Sequence, residues 1–177
     1  MTVTLAIDTS SSRTVVGLVD GEKILFESFA EGATDHGRAV SDLVAQALLN
    51  NPAPDQVVVG MGPGPFTGLR VGIAFARTFA LSRDIPVIGV CSLDAIDTGK
   101  SNYTVAIDAR RKEIYWARYE DGKRIEGPSV SKPDEVKDFI IDFYPNVSTL
   151  VALAQEQNES EPFYLRRPDA VPTAERS

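Results

Sequence analysis

Three glycines and two prolines crowd the stretch GPGPFTGLR, residues 62–70, directly ahead of a long apolar run. Gly62, Gly64 and Gly68 admit positive φ or close backbone approach. Pro63 and Pro65 fix φ and push the residues before them out of helix, and Thr67 is placed to cap a helix starting near Gly68. Such a loop can aim several backbone N–H groups at one anion, so phosphate binding is the first chemistry to test. The spacing supports neither common version. There is no GxxxxGK followed by Ser or Thr, and in the GxGxxG frame the last position is Thr67, with Gly68 one residue late.

Other reactive types are sparse. Asp8 ends an opening apolar segment, where it can cap the turn that follows or hold a metal for phosphoryl transfer. His36 is the only histidine, which excludes HExxH, HxxxH and every other two-histidine metal site within one chain. A Ser-His-Asp set could draw on His36 with Ser10 or Ser41, but no GxSxG elbow supports it; capping or packing is the plainer role. The single Cys91 follows the apolar VIGV and reads as a small buried hydrophobe. Arg110, Arg111 and Lys112, with Arg166 and Arg167, are either a solvated hairpin tip or a direct contact for RNA. A net charge of −7 excludes nucleic-acid binding by the whole surface and leaves only local basic patches.

Around these residues the hydrophobic pattern builds an α/β chain. Strands are predicted at Val3 to Ile7, Thr14 to Val19 and Ile24 to Ala30, with Asp20-Gly21 as a tight turn. A helix capped by Thr34 or Asp35 carries the stripe Val40, Leu43, Val44, Ala47 and Leu48 before Asn50, Asn51 and Pro52 end it. Gln56 to Gly60 reads as a parallel strand buried on both faces, and Pro86 to Val90 as another. Between them the helix from Gly68 to Ser82 is apolar on more sides than one sheet covers. It is either a central core helix or a partner-facing one. In the second case Val40, Leu43, Val44 and Leu48 join Leu69, Arg70, Ile73 and Arg77 as the contact surface, while Gly62, Gly64, Thr67 and Gly68 set the entry angle of the helix. A weaker copy of the opening starts near Tyr103: TLAIDTSSSRTVVGLVDGEKI is echoed by YTVAIDARRKEIYWARYEDGKRI, aligning Asp8 with Asp108 and Asp20-Gly21 with Asp121-Gly122. The expected organisation is two lobes, residues 1–100 and 101–177. The segment DEVKDFIIDFY after Ser131 and Pro133 is predicted helical, and the polar tail holds Pro168 and Pro172 as stops.

Taken together, LAIDTSS, GPGPFTGLRVGIAFA, YTVAIDARRKEIYWARY and PFYLRRPDA resemble the TsaB (YeaZ) family of bacterial tRNA threonylcarbamoyladenosine proteins. The resemblance implies the duplicated sheet of the sugar kinase, Hsp70 and actin class, with the second lobe abbreviated. It implies a non-catalytic scaffold that binds the transferase TsaD, with the ATPase TsaE as a further partner and tRNA reached mainly through the complex. Two departures stand out: DHGRAVSDLV lacks the His-Ser-Glu usual at that helix, and little chain separates Tyr144 from Phe163. The expectation is a cytoplasmic protein with no membrane contact, no leader, no cofactor and no metal, forming a homodimer when TsaD is absent. The alternative is an ATP-dependent phosphotransferase of the same fold class, with Asp8 as its metal-holding carboxylate; the glycine-free turns after Asp8 and Asp108 count against it. A peptidase reading lacks both a ligand set and a nucleophile with a base.

Overall fold

The computed structural model describes residues 2–32 and 34–166. Strands β1 (Val3–Asp8), β2 (Arg13–Asp20) and β3 (Lys23–Glu31) form an antiparallel meander. Helix α1 (His36–Leu48) then carries the chain across the sheet so that β4 (Gln56–Gly60) pairs parallel with β1, and α2 (Phe66–Leu81) returns it to β5 (Val87–Val90) beside β4. The sheet order is β3-β2-β1-β4-β5. Parallel crossovers put helices on a sheet face, which is why β1 and β4 lack polar alternation and are buried on both sides.

The second half repeats this path. β6 (Tyr103–Asp108), β7 (Ile114–Glu120) and β8 (Lys123–Ser131) form a meander, and β9 (Phe139–Ile140) pairs parallel with β6. The order β8-β7-β6-β9 reproduces β3-β2-β1-β4 with the same strand senses. This is a mixed-sheet α/β fold in which one strand path occurs twice, as the repeat in the sequence leads one to expect. The second copy is the reduced one: where α1 links β3 to β4, only a 3-10 turn at Pro133–Glu135 links β8 to β9.

That turn corrects the helix expected over DEVKDFIIDFY. Phe139 and Ile140 pair with Thr104 and Val105, and Asp138 and Asp142 on either side take positive φ (54° and 67°). Sheet pairing to β6 wins over a weak helical periodicity. The helix lies later, at α3 (Val147–Leu153), where the Asn146 side chain accepts a hydrogen bond from the Thr149 N–H at 2.8 Å.

α3 does not cover its own sheet. It crosses to the first one and packs on the face opposite α1 and α2, with Val147 and Leu150 fully buried among Ala6, Val15, Val19, Val58 and Val90. A side chain at Gly17 would collide with Val147, so β2 carries none there. Leu150→Ala should lower the unfolding free energy by about 2–4 kcal/mol in a urea titration. Ser148→Ala, on the exposed side of the same helix, should change it by less than about 0.5 kcal/mol.

Candidate functional site

The strand-end residue Asp8 is completely buried. Its Oδ1 accepts from the Ser10 N–H (2.9 Å) and the Ser10 hydroxyl (2.7 Å), and its Oδ2 accepts from the Ser92 hydroxyl at 2.6 Å. Ser92 Oγ in turn accepts from the Gly62 N–H at 3.0 Å. Burial raises the Asp8 pKa against the opposing pull of the serine donors. Both oxygens are therefore engaged by the chain itself, and the turn-capping role expected for Asp8 is the one observed. Among the described residues no group of three or more His, Cys, Asp or Glu is placed to hold a metal.

The glycine loop is closed by the same cluster. Thr9 Oγ1 sits between the two ends of one rung of α2, donating to the Gly68 carbonyl at 2.7 Å and accepting from the Gly72 N–H at 3.1 Å. A Cβ at Gly64 would run into the Ser10 backbone, and one at Gly72 into the Thr9 hydroxyl. At Gly68 it would stand 3.0 Å from the His36 ring. These glycines leave room for the turn after β1. Positive φ is needed at Gly62 (85°), whereas Gly68 lies inside the helix. Two expectations are corrected here. α2 starts at Phe66, with Pro65 in the cap position and no side-chain capping bond, so Thr67 is an exposed first-turn residue and not the cap. The proline supplies a fixed φ of −57° where the chain enters the helix, and Thr9 serves α2 from the side.

His36 is buried at the start of α1, with Nδ1 2.7 Å from Thr14 Oγ1. Burial lowers its pKa, with Asp8 pulling the other way. It is a packing histidine, and the Asp35 side chain makes no capping bond beside it. Ser10 is engaged with Asp8, and the Ser41 hydroxyl donates to the Gly37 carbonyl. Cys91 is buried, and its thiol is pushed up to about 12, mainly by desolvation. It is not a nucleophile at neutral pH.

The segment from Gln157 to Arg166 straps the two sheets together. The Glu159 N–H donates to Gly89, the Phe163 N–H to Met61, and Gln157 joins Tyr119 and Arg124 as donors to the Asp94 carboxylate. Arg166 pairs with Glu113 and donates to the Ala109 carbonyl. Arg167 lies outside the described residues.

The two helices show a different chemistry on their solvent side. Val40, Leu43, Val44, Leu69 and Ile73 are buried in the chain's own core, and Leu48 is half-buried. Arg70 and Arg77 are exposed; Arg70 lies over the Phe66 ring, and Arg77 donates to the Ser160 carbonyl at 2.8 Å. Because the apolar stripe faces inward, the exposed side of the packed α1–α2 pair holds the small residues Gly37, Ser41, Ala45, Ala74 and Thr78 with Leu81, the last 83% exposed, among the charged and polar Arg38, Asp42, Gln46, Arg70 and Arg77. The apolar stripe was readable in the sequence; the small residues between its members were the overlooked part.

With this geometry in place, comparison with known proteins is specific. Residues 33–171 match the family model of TsaD, tRNA N6-adenosine threonylcarbamoyltransferase. An uncharacterized protein of Mycobacterium leprae is 39% identical over 97% of this chain and 57% of its own length, and one of Mycobacterium tuberculosis is 39% identical over 96% and 94%. The tRNA threonylcarbamoyladenosine biosynthesis protein TsaB of Escherichia coli is 32% identical over 66% of this chain and 54% of its own. The chain thus spans little more than half the length of the Mycobacterium leprae relative and of that TsaB. YeaZ from Pseudomonas aeruginosa shares the fold, with a TM-score of 0.78 at 23% identity over 93% of this chain and 100% of that one.

Gly72→Ala should lower stability by about 1–3 kcal/mol, because the new methyl displaces Thr9 from both of its bonds to α2. Thr67→Ala should be neutral within about 0.5 kcal/mol. Paired urea titrations decide between this arrangement and a capping Thr67. The pH dependence has a defined sign. With its folded pKa below the ordinary 6.5, His36 makes stability fall as the pH drops below 6.5, where only the unfolded chain takes up a proton. Asp8, with its folded pKa raised above 3.8, acts oppositely, costing stability as the pH rises from 3.8 toward the raised value. His36→Asn should therefore remove the decline in urea midpoint expected of the wild type just below pH 6.5.

Proposed function

Since the chain belongs to the TsaD family, on its TsaB/YeaZ side, we propose that it is a non-catalytic subunit in threonylcarbamoyladenosine modification of tRNA, docking on a TsaD-like transferase through the outer surface of α1 and α2. The observation that carries this reading is the pairing of a sealed strand-end carboxylate with an uncovered two-helix surface. Asp8 is completely buried and both of its oxygens are hydrogen-bonded inside the fold, which counts against its holding a nucleotide-bound metal in the phosphotransferase alternative. The small residues Gly37, Ser41, Ala45 and Ala74 let a second pair of helices approach closely, with Leu81 as an apolar contact at one end.

The same surface serves a homodimer when the transferase is absent, and the two assemblies compete. An ATPase of the TsaE kind joins the larger complex, tRNA is reached mainly through that complex, and no cofactor is held by this chain alone. The setting is the cytoplasm; among the described residues no helix is long and apolar enough to cross a membrane. The repeat boundary falls near residue 100, with the second lobe handing α3 and the strap back to the first.

Ala74→Glu places a charge on the exposed side of α2 without touching the core. It should weaken association with a TsaD-like partner by at least about tenfold, or roughly 1.4 kcal/mol, measured by titration calorimetry, while the urea midpoint stays put. Undiminished binding by a folded Ala74→Glu protein would place the contact elsewhere.

A further inference from the structure

The two copies of the repeat treat one turn in opposite ways. In both, a strand-end aspartate accepts from the N–H two residues on at 2.9 Å, Asp8 from Ser10 and Asp108 from Arg110. In the first copy the turn is Thr-Ser-Ser-Ser, and Thr9, Ser10 and Ser11 are buried beneath α2 and the glycine loop. In the second copy the helix that follows β9, α3, packs on the first sheet instead, and past the buried Ala109 the turn stands in solvent as Arg-Arg-Lys. Arg110, Arg111 and Lys112 are all exposed, and all three lie in the left-handed region, with φ of 59°, 54° and 63°. Three consecutive non-glycine residues in that region are costly, and a glycine or asparagine turn would avoid much of the cost. The turn is held by hydrogen bonds from Ala109 N–H to the Glu113 carbonyl (2.9 Å) and from Glu113 N–H to the Arg110 carbonyl (3.1 Å). Arg166 braces it from within, donating to the Ala109 carbonyl and pairing with the Glu113 carboxylate.

We propose that this braced left-handed turn is a contact for the phosphate backbone of a structured RNA, made by Arg110, Arg111 and Lys112 directly from this chain. Three cations cluster at an exposed tip of a protein whose net charge is −7, and the carboxylate nearest the brace is already neutralised by Arg166. The adjoining cleft between the lobes argues against a free nucleotide. It measures about 190 Å³, below the usual range for a small-molecule site, and Arg110 lines it together with two carboxylates, Asp108 and Asp142, that oppose an anion. A backbone passing across the tip meets Arg111 and Lys112 outside that cleft and Arg110 at its edge. The identity of the RNA as tRNA rests on the function proposed above; the contact itself is measured without partner or modification, so the two can fail separately.

The experiment is fluorescence anisotropy of an unmodified tRNA transcript titrated with the full chain across a salt series, with inorganic phosphate as competitor. Asparagine tolerates the left-handed region, so the triple variant R110N/R111N/K112N removes charge while keeping the turn. K23N, on the exposed hairpin between β2 and β3 of the first copy, is the control. Wild type and K23N should bind with log affinity falling about two to three times as steeply as log salt rises, one step of about 0.7 to 0.9 per neutralised phosphate. The triple variant should bind at least about tenfold more weakly and with a flatter salt slope. Unchanged affinity and slope in a folded triple variant would overturn the proposal. So would absence of wild-type binding at low salt, or full displacement of the RNA by millimolar phosphate, which would mark a free-anion site.

Discussion

Everything in the first lobe depends on how closely the turn after β1 approaches α2. Thr9 reaches across to one rung of the helix, Asp8 locks Ser10 and Ser92, and Ser92 holds the Gly62 N–H. The arrangement needs the space at Gly60, Gly64 and Gly72, where a Cβ would collide with the Asp8 carboxylate, the Ser10 backbone or the Thr9 hydroxyl, and at Gly68 a Cβ would press on the His36 ring at 3.0 Å. The glycines that suggest a phosphate loop serve instead to bring two pieces of one chain into contact. The polar groups at a place where related architectures can hold a ligand are satisfied internally, and no buried side-chain nitrogen or oxygen among the described residues lacks a partner.

Sealing that end of the sheet moves the functional weight to the outside. The inward stripes of α1 and α2 make the core, and their outward side mixes small residues such as Gly37, Ala45 and Ala74 with charged ones such as Arg38, Asp42, Arg70 and Arg77. The second lobe follows the complementary course. Having no α1 or α2 of its own, it lends α3 to the first sheet and leaves its own strand-end turn open and basic. The strap from Gln157 to Arg166 then fixes the lobes to one another through Asp94, Gly89, Met61 and Glu113.

Most of the architecture was readable from periodicity and turn chemistry. The meander strands, the doubly buried VVVG strand, both Asp-Gly turns and the duplication follow from local patterns that tertiary structure reinforces. The misplaced elements were those decided by distant partners. DEVKDFIIDFY lost its helix to pairing with β6, and α3 is short enough that its Asn146 cap was a better signal than its periodicity. Thr67 had the right type and position for a cap, but the helix began at Phe66 because Pro65 already fixed the entry angle. At the helix surface, Val40, Leu43, Val44, Leu69 and Ile73 are residues the chain buries for itself, since the positions that pattern best are those of the core, while Arg70 and Arg77 are exposed.

The central claim is that this chain acts by docking through α1 and α2 and does no chemistry at Asp8. Hydrogen–deuterium exchange on the full chain, alone, with ATP and magnesium, and with a TsaD-like transferase, tests it most directly. The account predicts that the transferase protects the amides of His36–Leu48 and Phe66–Leu81, and that ATP alone leaves residues 8–12 and 60–68 unchanged. Protection of those two loops by ATP, with α1 and α2 unaffected by the transferase, would contradict it.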